Sequence, residues 1–230
     1  MFALPLATLS GVLATGALAA TGIGQATKFR ARFSTSRAGA ASGLRLQTAG
    51  RLPQTGITEP PAVRETLVLP AGTRIRLAAL PQCRASDAML AAAGAEAACP
   101  KRSRVGDGSA DGVLGGMAVH FGIGIYAVRG SLVFAAERDR QPLKQYFVGV
   151  SEGTRLVLTV PTLGGRIAPT AFAVRIAARA AAGGWLRTPV TCPPSGHWTA
   201  TGYFQGVSSA AANAHPVTPA QKLVDRIPCR

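Results

Sequence analysis

From residue 116 to residue 178 the chain reads as five short apolar runs: GMAVHFGIGIYAV (116–128), SLVFAAE (131–137), QYFVGV (145–150), TRLVLTV (154–160) and TAFAVRIAA (170–178). Turn residues separate them at Arg129-Gly130, around Gln141-Pro142, at Glu152-Gly153 and at Gly164-Gly165. Alternation of period two puts successive side chains on opposite faces of a strand. No helix-length segment lies between the runs, which disfavours a parallel βαβ sheet. Two earlier runs, RLQTAGRL (45–52) and RETLVLP (64–70), follow the same rhythm, and Pro70-Ala71-Gly72 forms a turn after the second. The expected fold class is all-β: an antiparallel β-sandwich, immunoglobulin-like or jelly-roll-like.

One segment breaks the β pattern. RASDAMLAAAGAEAA, between Cys83 and Cys99, predicts a short helix with Ser86 or Asp87 as its cap. Met89, Leu90 and Ala93 share a face of it, and Gly94 is placed to stop it. The four cysteines, Cys83, Cys99, Cys192 and Cys229, contain no C-x-x-C, so redox and zinc motifs are absent. Three pairings are open. The local one, Cys83–Cys99 with Cys192–Cys229, keeps each bridge within one region and ties the helix at both ends. Such bridges form and last in an oxidising compartment.

Residues 1–26 carry no charged side chain, and Ala17-Leu18-Ala19 offers small residues where a signal peptidase reads them. The segment reads as a signal peptide or an N-terminal anchor, although no Lys or Arg precedes its apolar core. Lys28, Arg30, Arg32 and Arg37 follow, and residues 27–43 are expected to be a basic flexible linker. Residues 44–230 are then a single β-sandwich domain. The formal charge is +15, yet only four of the 25 cations are lysines in a chain crowded with Ala, Gly and Arg. GC-rich codons give that bias without selection for phosphate contacts, and aromatics to serve as stacking platforms are few. Nucleic acid is therefore an unlikely partner. Attraction to acidic polymers or glycans outside the cell is the milder consequence. Membrane contact is expected only through an uncleaved N-terminal segment.

The stretch LVLPAGTRIRLAALPQCRASDAMLAAAGAEAACPKRSRVGDGSADG resembles a block in uncharacterised exported proteins of high-GC actinobacteria. In that block LP-x-G-T leads to a Cys, a short helix, A-C-P and a basic S-x-V-G-x-G-x-A strand. The closing RTPVTCPPSGHW, with IPCR at the end, is similar to the same family's last part. The resemblance spans about residues 44–230 and implies export and a β-rich domain with paired cysteines. It implies no catalytic residues.

Candidate sites each compete with a plainer reading. Asp107-Gly108-Ser109-Ala110-Asp111-Gly112 nearly matches the first half of a calcium loop, but position twelve is Ala118 where a bidentate Glu is needed, so a polar turn is favoured. Gly122-Ile123-Gly124-Ile125-Tyr126-Ala127 resembles a nucleotide-binding turn, but strand-like residues surround it on both sides. No cofactor is expected. His120, His197 and His215 are dispersed, and a triad from Ser109 or Ser195 with Asp111 or Asp225 would exist only if the fold assembled it. The ten acids show no paired-carboxylate pattern. Trp185, Trp198, Tyr203 and Phe204 gather near the C-terminal cysteines. They could stack on sugar rings as a ligand-binding face, or fill the core and shield a disulfide.

The leading expectation is an exported, non-enzymatic β-sandwich protein acting through its surface at the cell envelope. Its alternatives are an extracellular hydrolase whose site is assembled only in the fold, and a glycan-binding module.

Overall fold

In the run Val119-His120-Phe121-Gly122-Ile123-Gly124-Ile125 every second residue is buried, and the same rhythm organises most of the chain. The computed structural model describes residues 26–51, 62–138, 144–162, 166–178, 184–209, 211 and 214–230. The candidate export segment lies outside the described residues up to Ala26, as do the turns expected at Gln141-Pro142 and Gly164-Gly165.

The strands are β1 (Ala26–Phe33), β2 (Ala41–Ser42), β3 (Leu44–Gly50), β4 (Ala62–Val68), β5 (Arg74–Ile75), β6 (Arg104–Leu114) and β7 (Met117–Val128). They continue with β8 (Ser131–Arg138), β9 (Lys144–Glu152), β10 (Arg155–Pro161), β11 (Ile167–Ile176), β12 (Leu186–Arg187), β13 (His197–Val207) and β14 (Gln221–Pro228). Eleven of them form one antiparallel sheet in the order β1-β3-β11-β6-β7-β8-β9-β10-β4-β13-β14, and β2, β12 and β5 form a small second sheet. The large sheet folds over so that one face becomes the core. Phe134 on β8 stacks on Phe147 of β9 at 4.9 Å and meets Phe172 of β11 at 6.2 Å. Phe29 on β1 meets Phe204 of β13 edge-on at 6.2 Å, bringing the two ends of the sheet together. The antiparallel all-β class is as expected, and its layers are halves of one nearly closed sheet.

Side chains seal the gap between the two end strands. The Ala26 N–H donates to Gln221 Oε1 at 2.8 Å, and Gln221 Nε2 donates back to the Ala26 carbonyl at 3.0 Å. Further along, Asp225 Oδ2 accepts the Ala31 N–H at 2.8 Å and also pairs with the Arg32 guanidinium. Gln221 and Asp225 are four residues apart, while Ala26 and Ala31 are five apart. A bulge between Ala26 and Lys28 absorbs the difference.

This overturns the flexible-linker expectation for residues 27–43. Lys28-Phe29-Arg30-Ala31-Arg32-Phe33 is an integral strand whose Phe29, Ala31 and Phe33 are buried. Its charges mask an ordinary period-two pattern. Residues 34–43 are also tied down, with the Ala38 N–H donating to the Arg230 carbonyl and the Arg230 N–H to the Ser36 carbonyl.

The helix α1 (Asp87–Ala98) begins where expected, with the Ser86 hydroxyl accepting the Met89 N–H at 3.2 Å. Gly94, at φ +80°, interrupts it but does not end it. Met89 is 53% exposed, while Leu90 and Ala95 are the anchors. They pack with Cys83 and Cys99 on the outer face of β7 and β8, over Tyr126, Val128, Val133 and Ala135. Those strands are thus buried on both faces, which accounts for their continuous apolar runs. The cysteines pair locally: Cys83–Cys99 with Cα atoms 5.2 Å apart and Cys192–Cys229 with 5.6 Å, both within the usual range.

Candidate functional site

The cysteine and aromatic candidates separate cleanly. Trp185 is fully buried, and its indole N–H donates to the Ala177 carbonyl at 2.8 Å. Trp198 is also buried, donates to the Thr191 carbonyl at 2.8 Å and meets Phe33 edge-on at 5.6 Å. Neither ring face is open to a sugar, so the stacking role weighed for them is replaced by core packing. Tyr203 is half-buried on β13 between Thr66 and Lys222, and Phe204 turns inward. No aromatic platform is formed from these residues.

The acidic stretch 107–112 is a strand, not a turn, because β6 continues through it to Leu114. Residues two apart on a strand are separated by roughly 6–7 Å, so Asp107, Ser109 and Asp111 cannot wrap one ion. Asp107 instead lies 3.6 Å from Arg175, and Asp111 pairs with His120 at 2.6 Å. Gly108 serves a close approach: a Cβ there would come within 2.2 Å of the Ala173 carbonyl on β11. Gly122 and Gly124 lie within β7, which leads into another strand, so no nucleotide turn forms. Among the described residues no three His, Cys, Asp or Glu side chains gather to hold a metal ion.

The histidines likewise complete no triad among the described residues. His120 has a carboxylate, Asp111, but no serine within hydrogen-bond reach. His197 bonds the backbone of Ser195 at 2.8 Å. His215 meets Ser208, a residue the sequence reading passed over, at 3.1 Å without an orienting acid. Glu96, Asp107 and Glu137 do line one outer groove, together with Arg104.

Two features stand out. The first is an arginine ladder on the outer face. Arg32 of β1 lies directly opposite Arg45 of β3, and Arg45 directly opposite Arg175 of β11. Asp225 and Asp107 partly offset the outer two, and Arg45 stands between like charges. A groove of about 600 Å³ runs past the ladder, bordered also by Ser34 and Ala178. Arg187 and Arg74 are paired in the same way in the small sheet.

The second feature is a cavity of about 110 Å³ at one end of the core. Phe121, Phe147, Phe172 and Phe204 line it, and its lining extends to half-buried strand ends at Ala26 and Gly50. Glu65, on the inward face of β4 between Leu158 and Phe204, lies in its wall. That residue is only 5% exposed, and its Oε1 has no hydrogen-bond partner. Burial alone pushes its carboxyl from 4.5 up to about 8, so it is largely protonated at neutral pH.

No helix among the described residues is long and apolar enough to cross a membrane, which says nothing of β-barrel insertion. No family model matches the chain. No curated protein matches it either. Among solved structures, the T6 backbone pilin of serotype M6 Streptococcus pyogenes, described as a modular three-domain structure, superposes at a TM-score of 0.38 with 8% identity. The alignment covers 88% of this chain and 35% of the pilin, and a likeness that slight carries no argument about function. On its own geometry the chain is a disulfide-stapled, antiparallel β-rich module.

Proposed function

We propose that this is an exported, non-enzymatic module of the cell envelope that binds acidic polymers through its outer arginine face. The observation that carries the reading is the Arg32–Arg45–Arg175 alignment across three adjacent strands beside an open groove. Like charges directly opposite one another destabilise a sheet. A repeating anion laid across the strands relieves that repulsion. Strand spacing sets about 5 Å between successive guanidinium rows, a step that successive acidic groups of a flexible polymer can match. Two disulfides support the oxidising compartment in which such polymers lie. The family resemblance drawn from the LPAGT and ACP blocks supports the same location.

The test is retention on immobilised poly-glutamate and polyphosphate across a salt gradient. Elution is expected to shift to lower salt in the Arg45→Gln, Arg175→Gln double variant, and to shift less when Arg187 and Arg74 are replaced. Retention independent of salt, or unaltered in the first double variant, overturns the reading.

A further inference from the structure

Alternation along β4 makes Val63, Glu65 and Leu67 one inward-facing set, so Glu65 occupies a position where an aliphatic side chain would pack without cost. A buried carboxyl oxygen lacking a partner, as Glu65 Oε1 does, is unfavourable by its desolvation. The fold keeps one nonetheless, in the wall of a space that needs no polar group to exist. We propose that this cavity is a binding site for a small, uncharged, largely apolar molecule carrying one hydroxyl, which hydrogen-bonds the Glu65 carboxyl.

Size and lining define the apolar part. About 110 Å³ is somewhat less than the roughly 150 Å³ of an engineered apolar cavity that accepts benzene. A single ring or a short alkyl chain therefore fits, with any further substituent lying toward the strand ends. The four phenylalanines present the contact surface that such a group needs.

Charge defines the polar part. Glu65 lies opposite Leu158 of β10 and Phe204 of β13, Phe147 of β9 and Phe172 of β11 line the same cavity, and none of these four is titratable. The other titratable residue of the lining is Asp111, whose exposed carboxylate His120 engages at 2.6 Å. Among the described residues no cation lines the cavity, and none of them forms an ion pair with Glu65. A neutral carboxyl both donates and accepts, and a hydroxyl complements both roles. A ligand amine would require the ionised carboxylate, and a ligand carboxylate would find no counter-ion.

The site is separate from the arginine ladder, so its failure and that of the surface reading are distinguishable. Calorimetric titration of the intact protein with p-cresol and with toluene at pH 6.5 tests it. We expect p-cresol to bind about tenfold more tightly than toluene, the equivalent of one well-made hydrogen bond. The preference is retained in Glu65→Gln, whose amide keeps a donor and an acceptor, and is lost in Glu65→Leu, which still accepts toluene. Absence of binding by either probe, equal affinities, or a preference that survives Glu65→Leu overturns the proposal. Tighter binding of hexylamine than of p-cresol overturns the uncharged class.

Discussion

The side-chain amide of Gln221 substitutes for a neighbouring strand at Ala26, satisfying that residue's N–H at 2.8 Å and its carbonyl at 3.0 Å. Asp225 repeats the device one turn of the pleat later at Ala31. The edge of β1 is thereby covered without a full ladder of backbone bonds, which blunts its tendency to pair with another chain.

Removing that cover has two expected effects. Asp225→Ala strands the Ala31 N–H and frees Arg32, and should cost about 1–3 kcal/mol in urea unfolding. The Gln221→Ala, Asp225→Ala double variant should also form concentration-dependent oligomers in sedimentation velocity. A monomeric double variant with parental stability would show that the seam is held by Phe29 and Phe204 alone.

Reduction of the bridges should act unequally. On the chain-entropy relation the Cys83–Cys99 loop, with a separation of 16, is worth about 3 kcal/mol, and the Cys192–Cys229 loop, with 37, about 4 kcal/mol. The Cys192→Ser, Cys229→Ser variant should lose hydrogen-exchange protection first along β14. The Cys83→Ser, Cys99→Ser variant should lose it along α1.

Glu65 sets a pH dependence of definite sign. Its folded value of about 8 exceeds the ordinary 4.5, so between those pH values the folded chain holds a proton that the unfolded chain has released. Its contribution to stability is complete below pH 4.5, declines through that interval and is gone above about 8. Glu65→Gln should remove this component, and at pH 9 should be more stable than the parent by on the order of a few kcal/mol. Parallel stability curves for the two proteins from pH 5 to 9 would exclude a strained acid at this position.

Trp198→Ala should lower stability by about 3–5 kcal/mol, since it deletes a buried ring, its bond to Thr191 and its contact with Phe33. Glycan retention should not change beyond what the loss of folded protein explains. Loss of retention at parental stability would reinstate the stacking role.

Much of this architecture is legible in the residues themselves. The runs in β9 to β11 alternate, those in β7 and β8 are continuously apolar where α1 covers them, and the cysteine spacing favours the pairing found. The first strand escapes notice because Lys28, Arg30 and Arg32 dominate its composition, although Phe29, Ala31 and Phe33 keep the period. The stretch 107–112 looks like a turn because its glycines suggest flexibility, whereas Gly108 is small to admit the Ala173 carbonyl. Glu65 shares its parity with Leu67 and Leu69 in RETLVLP, so its inward placement was available from the pattern. Its lack of a partner was not, because that depends on Leu158 and Phe204, which arrive from distant strands. The arginine ladder is hidden for the same reason: register across β1, β3 and β11 is a property of the assembled sheet.

Ala26 and Gln221 are 195 residues apart, and β3 finds its second partner only in β11. The opening hairpin of the sheet must therefore wait, one flank unmatched, until nearly the whole polypeptide has emerged. Closing so long a loop is entropically expensive and comes late, which places this molecule among the slow folders. A partly made chain has no native way to shut.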